Sequence, residues 1–126
     1  MDSYTDPVLT LVLEDNYSGS DTSEVIIIKD YKRLKRFFLK VNKTRKPGLL
    51  VPEIDFSKDM VIILCNGKQN EGLWSRLHFL EETREKMTLE IVQKNDTDES
   101  LTTSISPFCI YKLPLTSKEI VFKEVD

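Results

Sequence analysis

Histidine occurs once in this 126-residue chain, cysteine twice, glycine four times and proline five times, and each scarcity removes a class of protein. A single histidine, His78, offers no His-His metal pair, and it stands beside no Gly-rich elbow of the kind a serine triad uses. Four glycines leave no loop able to cradle phosphates, so Gly67 and Gly72 read as turn residues. Glycine and proline are too sparse for collagen-like or low-complexity chains. The longest continuous apolar run, Met60 to Cys65, falls far short of the ~20 residues a membrane helix needs. What remains, 40% hydrophobic and 31% charged, is the composition of one globular domain over residues 1–126, with 1–7 expected as a disordered N-terminal tail. A chain of this size buries roughly two-thirds of its unfolded surface without metals or crosslinks.

Cys65 and Cys109 are too few and too widely spaced for a disulfide framework or a paired metal knuckle. Each lies in an apolar stretch, so they read as buried free thiols, with a bridge between neighbouring strands as the alternative. The compartment therefore stays open. Met1-Asp2-Ser3 lacks the basic start and apolar run of a secretory signal, which leaves either a cytoplasmic chain or one whose signal has been removed.

The net charge of -3 hides blocks of opposite sign. Residues 1–28 carry six acidic side chains and no Lys or Arg, whereas residues 29–46 carry nine basic ones against Asp30 alone. Within that basic block, Tyr31, Leu34, Phe38 and Val41 recur at helical spacing, with Phe37 beside them and Lys32, Arg33, Lys35, Arg36 and Lys40 on the other positions. This pattern predicts an amphipathic helix over about 31–42, capped by Asp30.

The rest reads as strands. Val8 to Leu13 and Glu24 to Lys29 are apolar and β-branched, and Glu14 to Ser23 between them reads as a long hairpin loop. Met60 to Cys65 is apolar at every position, so it must be covered on both faces, with the helix as one cover. Asn66-Gly67 marks a turn. Leu73, Leu77 and Phe79, then Met87, Leu89 and Ile91, alternate with polar residues as a hairpin. A tip at Thr83-Arg84-Glu85 sets Phe79 against Leu89, Leu77 against Ile91, His78 against Glu90 and Glu82 against Lys86. Leu101 to Ile105, Phe108 to Leu113 and Ile120 to Val125 complete the set, two of them entered after prolines. The expected fold is mainly β, of the α+β class: an antiparallel sandwich or partly open barrel of about seven strands with one helix packed on it.

No catalytic constellation accompanies this framework, so the chain is expected not to be an enzyme, and no cofactor or metal is expected. Asp55-Phe56-Ser57-Lys58-Asp59 and Asp96-Thr97-Asp98-Glu99 lack the glycine and spacing of a calcium loop and read as solvated turns. Three Asn-x-Ser/Thr matches, at Asn16, Asn42 and Asn95, carry little weight in a chain rich in Ser and Thr. Two surfaces are left. On the hairpin's non-core face Trp74, Arg76 and His78 stand together, with Asn70 and Glu71 from the adjoining turn, and Trp and Arg are the types enriched where binding energy concentrates. The bland alternative places Trp74 at the core's edge. The second surface is the basic helix, where Lys32, Arg33, Arg36, Lys40 and Lys43 could meet nucleic acid or an anionic surface. Against it stands a solvated helix face that offsets the acidic strands. A small-ligand pocket inside the β structure is a third reading, without identifiable lining residues.

Three segments resemble a known family: Val25-Ile26-Ile27-Ile28-Lys29-Asp30-Tyr31, then Pro52-Glu53-Ile54-Asp55-Phe56-Ser57-Lys58-Asp59-Met60-Val61-Ile62, and Ser106-Pro107-Phe108-Cys109-Ile110-Tyr111-Lys112-Leu113-Pro114. Together with Gly67 they are similar to the C-terminal domain of the protease complex subunit PrcB family, over about residues 18–124. The Asp-Phe-Ser-Lys entry to a buried strand and the Pro-aromatic-x-Ile-x-Lys-Leu-Pro run are its most telling pieces. The resemblance implies a small β-rich bacterial domain, secreted or lipid-anchored, that accompanies a subtilisin-like protease at the cell surface as a protein-binding subunit and not as an enzyme. One departure matters: where the family tends to have a Gly-Gly-aromatic turn, this chain has Asn70-Glu71-Gly72-Leu73-Trp74. The identity of the partner therefore does not carry over.

Overall fold

A computed structural model describes residues 6–69, 73–95 and 104–125. In chain order the elements are β1 (Thr10–Asp15), β2 (Ser23–Ile28), α1 (Tyr31–Val41), a 3-10 turn (Asn42–Thr44), β3 (Asp59–Asn66), β4 (Leu73–Glu82), β5 (Lys86–Asn95), β6 (Phe108–Pro114) and β7 (Glu119–Val125). They form two open sheets, β1-β6-β3-β2 and β4-β5-β7. The architecture is an α+β sandwich of seven strands and one helix, not a closed barrel.

β3 sits in the middle because no other strand is apolar throughout. Its Met60, Ile62 and Leu64 meet Leu77, Leu89 and Ile91 across the space between the sheets, while Val61, Ile63 and Cys65 face the helix. Side-chain alternation along one strand thus divides the core into two layers. The molecule stacks as three: the β4-β5-β7 sheet, the four-stranded sheet, then α1.

The helix forms where the period-3.6 pattern places it. Leu34, Phe37, Phe38 and Val41 are buried, and the Asp30 side chain accepts from the Arg33 backbone N–H at 2.8 Å, satisfying one of the orphan donors of the first turn. Tyr31, read with the apolar stripe, lies 44% exposed in the first turn, stacked under Lys35 Nζ at 5.9 Å. At the other end the Asn42 side chain holds Leu49 by both backbone groups, accepting from its N–H at 2.8 Å and donating to its carbonyl at 2.9 Å.

The β4/β5 hairpin follows the expected register through Leu77–Ile91, His78–Glu90 and Phe79–Leu89. Beyond Phe79 an irregularity shifts the pairing, so Glu82 opposes Met87 and not Lys86. The extra residue, Leu80, is 42% exposed, and the displaced Glu82 pairs with Lys118 at 2.5 Å. A bulge of this kind admits one unpaired residue and leaves little trace in an alternating sequence. β7 runs parallel to β5.

Glu14 to Ser23 is not a hairpin loop. β1 pairs with β6 and β2 with β3, at opposite edges of one sheet, and the segment crosses the end of that sheet to connect them. Its buried part is held by the Ser18 N–H, which donates to the Ser106 carbonyl at 2.7 Å and to Ser106 Oγ at 3.0 Å. Of the strand expected over 101–105, residues 101–103 lie outside the described residues, and Ile105 forms only an isolated bridge to Gln69. Gly67 adopts φ +80°, and a Cβ there would sit 2.9 Å from the Ser23 nitrogen, so the turn after β3 excludes a side chain.

Candidate protein-binding face

Strand alternation in β4 sends Ser75 and Leu77 inward, where both are buried, and places Trp74, Arg76 and His78 on the opposite, outer side. Glu14 of β1 reaches this side of the β4-β5-β7 sheet at Arg76. All three side chains are half-buried. The Arg76 guanidinium lies 5.4 Å from the centre of the Trp74 ring. It also pairs with Glu14 at 3.1 Å and donates to the Ser75 carbonyl at 3.2 Å. A planar cation stacked on an indole and tethered to a carboxylate has already lost much of its rotamer freedom, which lowers the entropy cost of ordering it in a complex.

His78 opposes Glu90 in the hairpin register. On its other side it borders a surface groove of about 320 Å³ that includes Leu77, Tyr111 and Asp6. That groove marks where the unpaired edge of β4 meets the N-terminal segment. The edge is closed by side chains: Tyr111 Oη accepts from the Leu77 N–H at 3.3 Å and Asp6 Oδ2 from the Phe79 N–H at 2.8 Å. Asp6 Oδ1 meanwhile accepts from Val8 and Leu9 at 2.9 and 2.8 Å. Of the tail expected over residues 1–7, residues 1–5 lie outside the described residues, and Asp6 is bound to the sheet.

Asn70 and Glu71 lie outside the described residues. The base of their turn is fixed by Asn66, which donates to the Leu73 carbonyl at 2.8 Å and accepts from the Ser75 hydroxyl, and by Gln69, which donates to the same Leu73 carbonyl at 2.7 Å. Glu14 and Asp6, which organise the candidate face and its border, escaped sequence reading. Each acts on β4 from a segment more than sixty positions away, and no local pattern announces such a contact.

The basic residues Lys32, Arg33, Arg36, Lys40 and Lys43 are all exposed along α1 and the turn after it. Arg33 pairs with Asp30 at 3.6 Å. Arg45, at the end of the same basic block, is drawn away to Asp15 at 2.5 Å.

Cys65 belongs to the layer under the helix and Cys109 to the layer between the sheets. The two thiols occupy opposite faces of the sheet and both are free. Burial pushes each up to about 12, so neither is a thiolate near neutral pH, as a nucleophile or metal ligand must be. Among the described residues no group of three or more His, Cys, Asp or Glu could hold a metal ion, and no helix is long and apolar enough to cross a membrane. Asp55 forms a local turn: its carboxylate accepts from the Ser57 hydroxyl and backbone N–H, which lowers its pKa below the usual value. The Asp96 to Glu99 cluster lies outside the described residues. Between the sheets the space is filled by side chains such as Met60, Ile62, Leu77 and Leu89, and the grooves lie at the surface.

The fold defines a class: a two-sheet α+β sandwich with one helix. Comparison with family models, with curated proteins and with solved structures finds no match to this chain.

Proposed function

We propose that this protein is a non-catalytic binding module that docks a protein partner on the outer face of its β4-β5-β7 sheet. The observation that carries the reading is the Arg76 guanidinium stacked on Trp74 and tethered by Glu14, a preformed aromatic-cation anchor on the partly exposed side of β4. Trp and Arg are the residue types on which interface energy concentrates. The sequence resemblance to the PrcB family supplies the setting: an accessory subunit beside a secreted protease in a bacterial cell envelope, reached by secretion or a lipid anchor.

The test is affinity for a secreted subtilisin-like protease of the same organism, measured by calorimetry for the wild type and for Trp74→Ala and Arg76→Glu. Truncating the anchor should weaken binding by about 30-fold, the equivalent of about 2 kcal/mol, while folding stability falls by less than about 2 kcal/mol. Unchanged affinity overturns the reading. So does a Trp74 indole that is fully shielded from quenchers together with a stability loss of about 3 kcal/mol or more, because Trp74 is then a core residue.

A further inference from the structure

The helix presents a second surface, on the side of the molecule away from the Trp74 face. Its buried residues, Leu34, Phe37, Phe38 and Val41, define one side. Opposite them, at spacings of four, three and four, run Lys32, Arg36, Leu39 and Lys43, flanked by Lys35 and Lys40. Leu39 is 74% exposed, and at helical spacing it stands in the middle of five cations. The ion pairs among the described residues are Arg33–Asp30, Arg45–Asp15, Arg76–Glu14 and Lys118–Glu82. None of them engages Lys32, Lys35, Arg36, Lys40 or Lys43. In a chain of net charge -3, none of the carboxylates among the described residues pairs with this stripe.

A second exposed leucine stands at the same end of the helix. Asn42 clamps Leu49 against the helix C-terminus, and the next residue, Leu50, is 89% exposed. At the first turn Tyr31 is exposed as well, beneath Lys35. Lone exposed leucines are ordinary. Leu39 ringed by unneutralised Lys and Arg is the pattern of an interfacial helix, in which the cations meet anionic headgroups and an aliphatic side chain enters the boundary with the acyl chains.

The geometry points to the solvent face of α1 as a docking surface for an anionic lipid bilayer, bound in plane through Lys32, Lys35, Arg36, Lys40 and Lys43 with Leu39 as the apolar anchor. Charge complementarity selects an anionic partner, and a leucine 74% exposed at the centre of the cations favours a lipid surface, whose acyl boundary takes up an aliphatic side chain. Because the four-stranded sheet separates α1 from the β4-β5-β7 sheet, a chain lying on a membrane this way holds its Trp74 face outward. The inference does not depend on the protein-binding reading.

The experiment is co-sedimentation of the full chain with vesicles of equimolar phosphatidylcholine and phosphatidylglycerol, beside pure phosphatidylcholine vesicles and a DNA duplex. Binding to the anionic vesicles and not to the neutral ones is expected, falling by at least tenfold as salt rises from about 50 mM to about 300 mM. Lys32→Glu with Arg36→Glu should reduce it by about tenfold or more, and Leu39→Ser severalfold, with melting temperatures unchanged because all three residues are exposed. Absence of vesicle binding at low salt overturns the proposal, as does vesicle binding indifferent to the charge reversals or to Leu39→Ser. A duplex bound more tightly than the anionic vesicles assigns the stripe to nucleic acid instead. The outcome is separable from the protease test, since Trp74→Ala leaves this surface intact.

Discussion

At the scale of single residues, the cost of burial is visible in three titratable groups. Cys65, Cys109 and Tyr111 lie inside the layers flanking the central sheet, and desolvation is the largest cause that raises each of them to about 12. Their ordinary values are 9.0 for the thiols and 10.0 for the phenol. Between those values and about 12 the unfolded chain has released protons that the folded chain still holds, so unfolding releases protons and stability falls as pH rises. Below pH 9 both states are protonated at these groups and their contribution is fully present. Melting temperature is therefore expected to be insensitive to these groups up to about pH 8 and to drop through the window above 9. Cys65→Ser with Cys109→Ser should soften that drop. In the native state both thiols should resist alkylation at pH 8 and react only on denaturation, which a mass measurement with and without urea checks. The sequence placed these cysteines in apolar stretches, and that much was legible. That they face opposite layers was not, because it depends on which strands β3 and β6 pair with.

At the scale of elements, the helix is the part most plainly written in the sequence, since its periodicity, its Asp30 cap and its buried set all come from residues close together in the chain. Phe38 is its largest fully buried side chain, 1% exposed, in edge-to-face contact with Phe37 at 5.6 Å. Phe37 in turn meets Phe108 of β6 at 5.4 Å. Phe38→Ala should cost about 3–5 kcal/mol. Phe38→Asp, which buries an unpaired carboxylate, should leave the chain largely unfolded at room temperature; urea denaturation followed by circular dichroism reads both. The hairpin was legible to the point where its alternation is regular. The pairs Leu77–Ile91 and Phe79–Leu89 follow from matching apolar faces. The shift near Leu80 does not, because a bulge adds a residue whose exposed side chain resembles any other surface position. The pairing of β1 with β6 and the parallel course of β7 were equally hidden, for strand edges choose partners through backbone hydrogen bonds that any sequence of suitable polarity can make.

At the scale of the whole molecule, one side chain near the N-terminus closes the sandwich. Asp6 accepts from Val8, Leu9 and Phe79, joining the segment before β1 to the free edge of β4, so the two sheets are linked at that edge by a carboxylate. Asp6→Ala strands three backbone donors and should cost about 2 kcal/mol. Exchange of the Phe79 amide hydrogen should accelerate well beyond that of Leu89 in the sheet interior. Equal protection of the two amides in that variant would show that the edge is held by other contacts.

What the sequence determined by itself is local or periodic: a mainly β chain, a helix with a basic outer face, a central strand needing two covers, and a β4 whose alternation puts Trp74, Arg76 and His78 on one side. Each is a consequence of side-chain polarity repeating at the period of the backbone. Tertiary structure alone decided which strands lie side by side, that Glu14 crosses from one sheet to tether Arg76 of the other, and that among the described residues Lys32, Lys35, Arg36 and Lys40 of α1 form no ion pair while Arg45 and Arg76 do. Those outcomes depend on distances between segments far apart in the chain. Such distances are set by the simultaneous packing of two core layers around β3, and no window of sequence contains both partners.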